Sequence, residues 1–241
     1  MNDDVYGIKK WGNDILEILE NGNIGLKNPF HPDNSPTDLI KIIKSLNERG
    51  ISCPVLLRVT DYLAFRIKQI NNSFFRAIRE IKYKGEYKGV FPVKVNQQAQ
   101  VIDRIVEFGK EFDFGLEVGS KPELLIALAH DLSANSTIIC NGIKDREFIH
   151  LAILSIKIGF KTILVLESPR ELDLIIKISK ELNVLPLLGI RVKLTNKVSG
   201  NWSQSSGDRS AFGLSVEQVM EVINKLKMYN YLDCLILQHS H

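Results

Sequence analysis

From residue 89 onward, short apolar runs alternate with stretches whose apolar side chains stand three or four positions apart. The first pattern belongs to strands, the second to helices that bury one face. Strands are predicted over 89–95, 114–118, 137–141, 162–166, 187–193 and 233–239. Helices are predicted between them over 99–112, 121–132, 146–159, 170–183 and 216–229. Ser120, Asp145, Ser168 and Ser215 stand where N-caps belong. Ser120 with Glu123, and Ser168 with Glu171, have the spacing of capping boxes. The strands are apolar nearly throughout, as expected of strands covered on both faces. Regular alternation of strand and helix implies crossover connections and therefore parallel pairing. A β/α barrel and an open doubly wound sheet both satisfy that pattern.

The upstream region has another texture. Gly22, Gly25, Pro29, Pro32 and Pro36 break residues 1–50 into short pieces. Residues 11–27 fit a β-hairpin turning at Asn21-Gly22, and 14–20 fit a short helix equally well. Apolar spacing predicts a helix over 37–49. Leu63, Ile67, Ile70, Phe74, Ile78 and Ile81 predict a longer one over 61–82, capped by Thr60 or Asp61. Two regions are expected, 1–50 and 51–241.

Composition narrows the class. With 44% hydrophobic and 24% charged residues, the chain carries enough apolar surface to fold. A net charge of +3 over 241 residues, with no basic stripe, gives no footprint for nucleic acid. Asp3 and Asp4 stand where a signal peptide would be basic. The most apolar stretch, 148–166, contains Lys157 and Lys161 and is too charged to span a membrane. A cytoplasmic location is therefore expected, with Cys53, Cys140 and Cys234 as reduced thiols.

In either architecture ligands bind at the carboxyl ends of the strands. Those ends carry Lys94 and Asn96, Glu117 and Ser120, Asn141, Glu167 and Ser168, Arg191 and Lys193, and His239 and His241. Lys94 stands out because it interrupts the apolar run F-P-V-K-V. A desolvated lysine has a lowered pKa, and its free amine condenses with aldehydes to a Schiff base. The competing reading is a lysine that reaches solvent or pairs with Glu117. No G-x-G-x-x-G follows the first strand, and no P-loop is present. The pair His239 and His241 has the spacing of a weak metal chelate, but a core or active-site histidine is the commoner meaning.

Several segments carry a resemblance. YKGEYKGVFPVKVNQ at 83–97, LEVGSKPEL at 116–124 and IICNGIKDREFIHLA at 138–152 resemble the bacterial biosynthetic arginine decarboxylases. So do LGIRVKL at 188–194, SGNWSQSSGDRSAFGLS at 199–215 and WGND at 11–14. Ornithine and diaminopimelate decarboxylases share the strand-one lysine but lack the W-G-N and N-G-x-K-D-R-E segments. A non-catalytic pyridoxal-phosphate-binding protein on the same barrel would lack the extra residues before the first strand.

The resemblance implies an alanine-racemase-like (β/α)8 barrel of which about six of eight strands are present. An N-terminal segment belonging to a β-sheet domain would precede it. It implies pyridoxal 5'-phosphate held on Lys94 as an aldimine, L-arginine as substrate, and agmatine and carbon dioxide as products that feed polyamine synthesis. It implies Mg2+ and a homo-oligomer as well. His241 matches a histidine that stacks on the pyridine ring, and Glu117 an acid close to the cofactor. Asn96, Arg191 and Arg209 fall in matching segments without an assigned role. Ala211 departs from the pattern, because related barrels often have lysine there. The glycine-rich phosphate loop, the acid facing the ring nitrogen and a partner subunit's cysteine and aspartate would all lie beyond strand six. The chain is thus expected to be the N-terminal part of a longer enzyme, inactive alone.

Overall fold

The computed structural model describes residues 6–193 and 213–240, which form two units divided between Asn72 and Ser73. In the first, helix α1 (Ile8–Trp11) precedes strands β1 (Leu16–Ile18) and β2 (Ile24–Leu26). These pair antiparallel, Leu16 opposite Leu26 and Ile18 opposite Ile24. Gly22 turns the hairpin at φ +81°, a conformation that costs glycine nothing. The hairpin forms, and the alternative helix over 14–20 does not. Strand β3 (Thr37–Asp38) adds to β2. It takes the first two residues of the predicted helix, so α2 runs Leu39–Glu48. Asp38 caps α2 by accepting from the amides of Ile40 and Lys41, at 2.9 and 3.4 Å. Its other oxygen accepts from the side-chain amides of Asn21 and Asn23 in the hairpin loop.

Helix α3 (Thr60–Glu80) is the 21-residue amphipathic segment. The division between the units falls inside it, so it does not coincide with the composition change at Gly50.

The second unit alternates as the periodicity predicts. Its elements are β4 (Val90–Pro92), α4 (Ala99–Gly109), β5 (Gly115–Val118), α5 (Lys121–Leu128), β6 (Thr137–Cys140) and α6 (Arg146–Lys157). Then come β7 (Lys161–Leu166), α7 (Pro169–Leu182), β8 (Leu187–Val192), α8 (Val216–Met228) and β9 (Leu235–Ser240). All six strands are parallel, and their order in the sheet is their order in the chain. A doubly wound sheet reverses its order at a switch point, and this one does not. Right-handed crossovers that always step the same way put every helix on one face. That is the arrangement of a β/α barrel, here as an arc of six strands edged by β4 and β9.

The face under the helices is the core. Val93, Leu116, Val118, Ile138, Cys140, Leu164, Leu166, Leu188 and Ile190 pack there, all buried, against α4 to α8. Adjacent strand residues point to opposite faces. Glu117, Asn141, Glu167 and Arg191 are out of phase with that set and so project from the other face.

Two strand ends differ from expectation. The first strand stops at Pro92, and Val93–Val95 form a 3-10 turn instead of continuing it. Pro92 has no N–H to give to a ladder, which an edge strand tolerates. The last strand begins at Leu235, after a 3-10 turn at Leu232–Cys234.

Candidate active site

Because the strands are parallel, their carboxyl ends share one edge of the sheet. Lys94 stands there on the turn after β4. Val93 takes the core position, with no exposed surface, and the Lys94 side chain is exposed. The burial expected from its apolar run is therefore corrected: the strand ends before it, and the amine reaches solvent. Glu117 lies at the end of the neighbouring β5, in register with Pro92. It is buried at 8% exposure, and its Oε1 accepts from the Asn141 side-chain amide at 2.9 Å. Asn141, rather than Lys94, thus orients this carboxylate. The Asn141 Oδ1 is also buried and has no hydrogen-bond partner among the described residues.

His241, Arg209, Ala211 and the part of the 199–215 segment before Gly213 lie outside the described residues. His239 on β9 is the register partner of Arg191 on β8. Among the described residues, no group of three or more His, Cys, Asp or Glu side chains could hold a metal ion.

Sequence reasoning missed a buried charge network at the same edge. Lys144 follows β6 in the N-G-I-K segment, and its side chain has no exposed surface. Its ammonium donates to the Gly142 carbonyl and to the Val165 carbonyl, the latter at 2.6 Å, and stands 3.3 Å from Glu171 Oε2. Burial pushes the Lys144 pKa down, while Glu171 and Glu167 pull it up. Glu171 also accepts from the backbone amides of Lys144 and Glu167, both at 2.9 Å. It does not reach back to Ser168, whose side chain makes no capping bond, so that predicted capping box does not form. Glu123 behaves similarly and accepts from the Gly119 amide, while Ser120 keeps its half of the box. Asp145 caps α6 as expected. The complete capping box is instead Ser215 with Gln218.

Glu167 accepts from Gly142 N at 3.1 Å, Arg191 Nη1 at 3.0 Å and Gly213 N at 2.9 Å. Both glycines have φ beyond +70°, so their amides turn toward this carboxylate in a conformation that side chains resist. A Cβ on Gly142 would also stand 3.0 Å from the Gly119 carbonyl oxygen. The thiol of Cys140, fully buried beside this network, is pushed up to about 12 by burial. Lys144 is the lysine of the N-G-x-K-D-R-E segment, but the segment does not say that this lysine is buried. Only the three acceptors around it, from separate segments, show that.

Residues 67–235 match the model of the pyridoxal-dependent decarboxylase family, pyridoxal binding domain. That span is most of the chain, and the chain belongs to this family. Among curated relatives, it is similar to the biosynthetic arginine decarboxylase of Prochlorococcus marinus, 46% identical over 98% of this chain and 36% of that protein. The biosynthetic arginine decarboxylase of Gloeobacter violaceus is 44% identical over 99% of this chain and 37% of its own length. The structure of the biosynthetic arginine decarboxylase from Campylobacter jejuni aligns with TM-score 0.85 and 33% identity, over 100% of this chain and 37% of that one. Diaminopimelate decarboxylase from M. jannaschii shares the fold at TM-score 0.64 and 23% identity, over 95% of this chain and 48% of that one. The chain spans a little over a third of the length of the curated relatives it matches.

Proposed function

We propose that this chain supplies the cofactor-lysine portion of an arginine decarboxylase that converts L-arginine to agmatine and carbon dioxide. The observation that carries the reading is the placement of an accessible lysine and an oriented, buried carboxylate at adjacent strand ends. The similarity to biosynthetic arginine decarboxylases supports the choice of substrate.

The residues present fit a pyridoxal cofactor. The exposed Lys94 amine is open to an aldehyde. Asn141 fixes the Glu117 carboxylate and keeps a buried oxygen that still lacks a donor. When bound, the cofactor supplies an aldehyde for amines and a protonated ring that accepts the electron pair left by departing carbon dioxide. Lys94 would hold the cofactor, Glu117 would lie at the neighbouring strand end with its carboxylate oriented by Asn141, and His241 is assigned to the ring by resemblance alone. Agmatine then enters polyamine synthesis in the cytoplasm. A homo-oligomer and Mg2+ belong to the same proposal on resemblance alone. So does inactivity of the isolated 241-residue chain. Among the described residues, no helix is long and apolar enough to cross a membrane.

The test takes two samples of the full-length protein with pyridoxal phosphate: one is reduced with borohydride and mapped by peptide mass, and the other, unreduced, is assayed for the product from arginine. A reduced adduct on Lys94 and release of agmatine are expected, both lost in Lys94→Ala. An adduct elsewhere refutes the lysine, and putrescine from ornithine in place of agmatine refutes the substrate.

A further inference from the structure

Lys144 is a costly residue to place where it is. A buried ion pair adds little stability over apolar side chains of the same shape, because desolvation offsets its attraction. The Gly142 carbonyl, the Val165 carbonyl and Glu171 are three acceptors for three N–H bonds. That number suits the ammonium form, since a neutral amine has only two N–H bonds to give. The acceptors come from the loop after β6, from β7 and from the first turn of α7. Beyond Cys140 the ladder of β6 has one more rung, Asn141 N to Val118 O at 2.8 Å. After that rung, Lys144 ties the loop to the sheet.

We infer that Lys144 is a positioning residue, whose ammonium pins the loop after β6 onto β7 and so holds Asn141 against Glu117 and Gly142 against Glu167. The inference rests on the pyridoxal-enzyme reading above. Its consequence is that Glu117 and Glu167, acids on the strand-end edge that carries Lys94, keep their places through a cation whose own partners are Gly142, Val165 and Glu171. The charged and titratable groups around it are Cys140 on β6, Glu167 at the end of β7, Glu171 on α7 and, through Glu167, Arg191 on β8. The two acids and two bases balance, so the network can stay buried without a net charge.

The experiment compares full-length wild type with Lys144→Met and with Lys144→Met/Glu171→Gln. The double variant removes both charges and keeps an acceptor for one of the two backbone amides that Glu171 serves. Four quantities are read: borohydride-trapped occupancy of Lys94, the pH profile of the cofactor absorption, kcat and KM for arginine, and amide exchange of the apoprotein at Gly142 and Lys144. A 1 Å misplacement in an active site costs on the order of a hundredfold, so kcat per bound cofactor should fall at least about tenfold in both variants. KM should stay within about twofold, and the midpoint of the pH profile should move. Loop amides should exchange at least about tenfold faster in the apoprotein. Unchanged kcat and pH profile in the double variant, with only a lower melting temperature, would overturn the inference and leave the network as scaffold. Unchanged amide exchange would overturn the pinning itself. Wild type that forms no adduct on Lys94 overturns the functional reading instead, which this control separates from the failure of Lys144.

Discussion

Glu167→Gln tests whether the strand-end network is as tightly bonded as it is drawn. The side chain is 1% exposed, and its two oxygens take three donors: Gly142 N, Arg191 Nη1 and Gly213 N. Glutamine has nearly the same shape but one acceptor oxygen. Turned toward Gly142 and Arg191, it confronts the Gly213 N–H with an NH2 group. A buried donor left unsatisfied costs about 1–3 kcal/mol. The guanidinium also loses its counter-charge. A fully buried broken pair costs about 3–5 kcal/mol, but Arg191 keeps 17% exposure and water recovers much of that. A total near 3 kcal/mol follows, or a fall of roughly 6–12 °C in melting temperature for a domain of this size. The assay is urea unfolding followed by circular dichroism, accepted only if the slope is unchanged. Glu181→Gln is the control. It breaks the exposed pair with Arg146 and should cost less than about 1 kcal/mol. If Glu167→Gln costs no more than that control, the carboxylate does not make these three bonds and the network argument fails with it.

Thiol chemistry and acid titration test other parts of the fold. Cys53 is exposed, whereas Cys140 and Cys234 are buried and both thiols are pushed up by burial. One thiol should therefore react quickly with a disulfide reagent near pH 8 and two only after denaturant; rapid reaction of Cys140 would contradict its place under the helices. The carboxyl of Asp113 is held below its usual value of 3.8, first by its hydrogen bond from Lys88 and then by that from Ser133. A depressed folded-state pKa stabilises above the unfolded value and is lost as pH falls through the folded one. Asp113→Asn should therefore lower the urea midpoint at pH 6 but not near pH 2; a gap that persists in acid would refute the assignment.

Much of this was legible in the chain. Alternating periods predicted every strand and helix of the second unit, because one buried face forces apolar residues to recur at the pitch of the element. Asn21-Gly22 offered the hairpin through a local φ that glycine accepts, beside a short helix over 14–20 that the spacing also allowed. Local signals served less well where a side chain had two possible partners. Glu171 has the spacing to cap its own helix but bonds to Lys144 and the Glu167 amide, because a buried ammonium outbids a solvated helix end. Lys94 was legible as a residue of interest, although for a reason the structure removes, since Pro92 ends the strand and leaves the amine in solvent.

The sequence by itself determined the strand–helix rhythm, the parallel pairing and the position of the lysine at a strand end. These depend on residues within a few positions of one another. Periodicity alone left barrel and doubly wound sheet open, because sheet order depends on which side each crossover returns to; the resemblance implied the barrel, and the strand order bears it out. Only the tertiary structure joined Glu117 to Asn141 and Lys144 to Glu171, pairs 24 or more residues apart. Such contacts exist because parallel strands bring their carboxyl ends to one edge, where charges from separate loops must satisfy one another once water is gone.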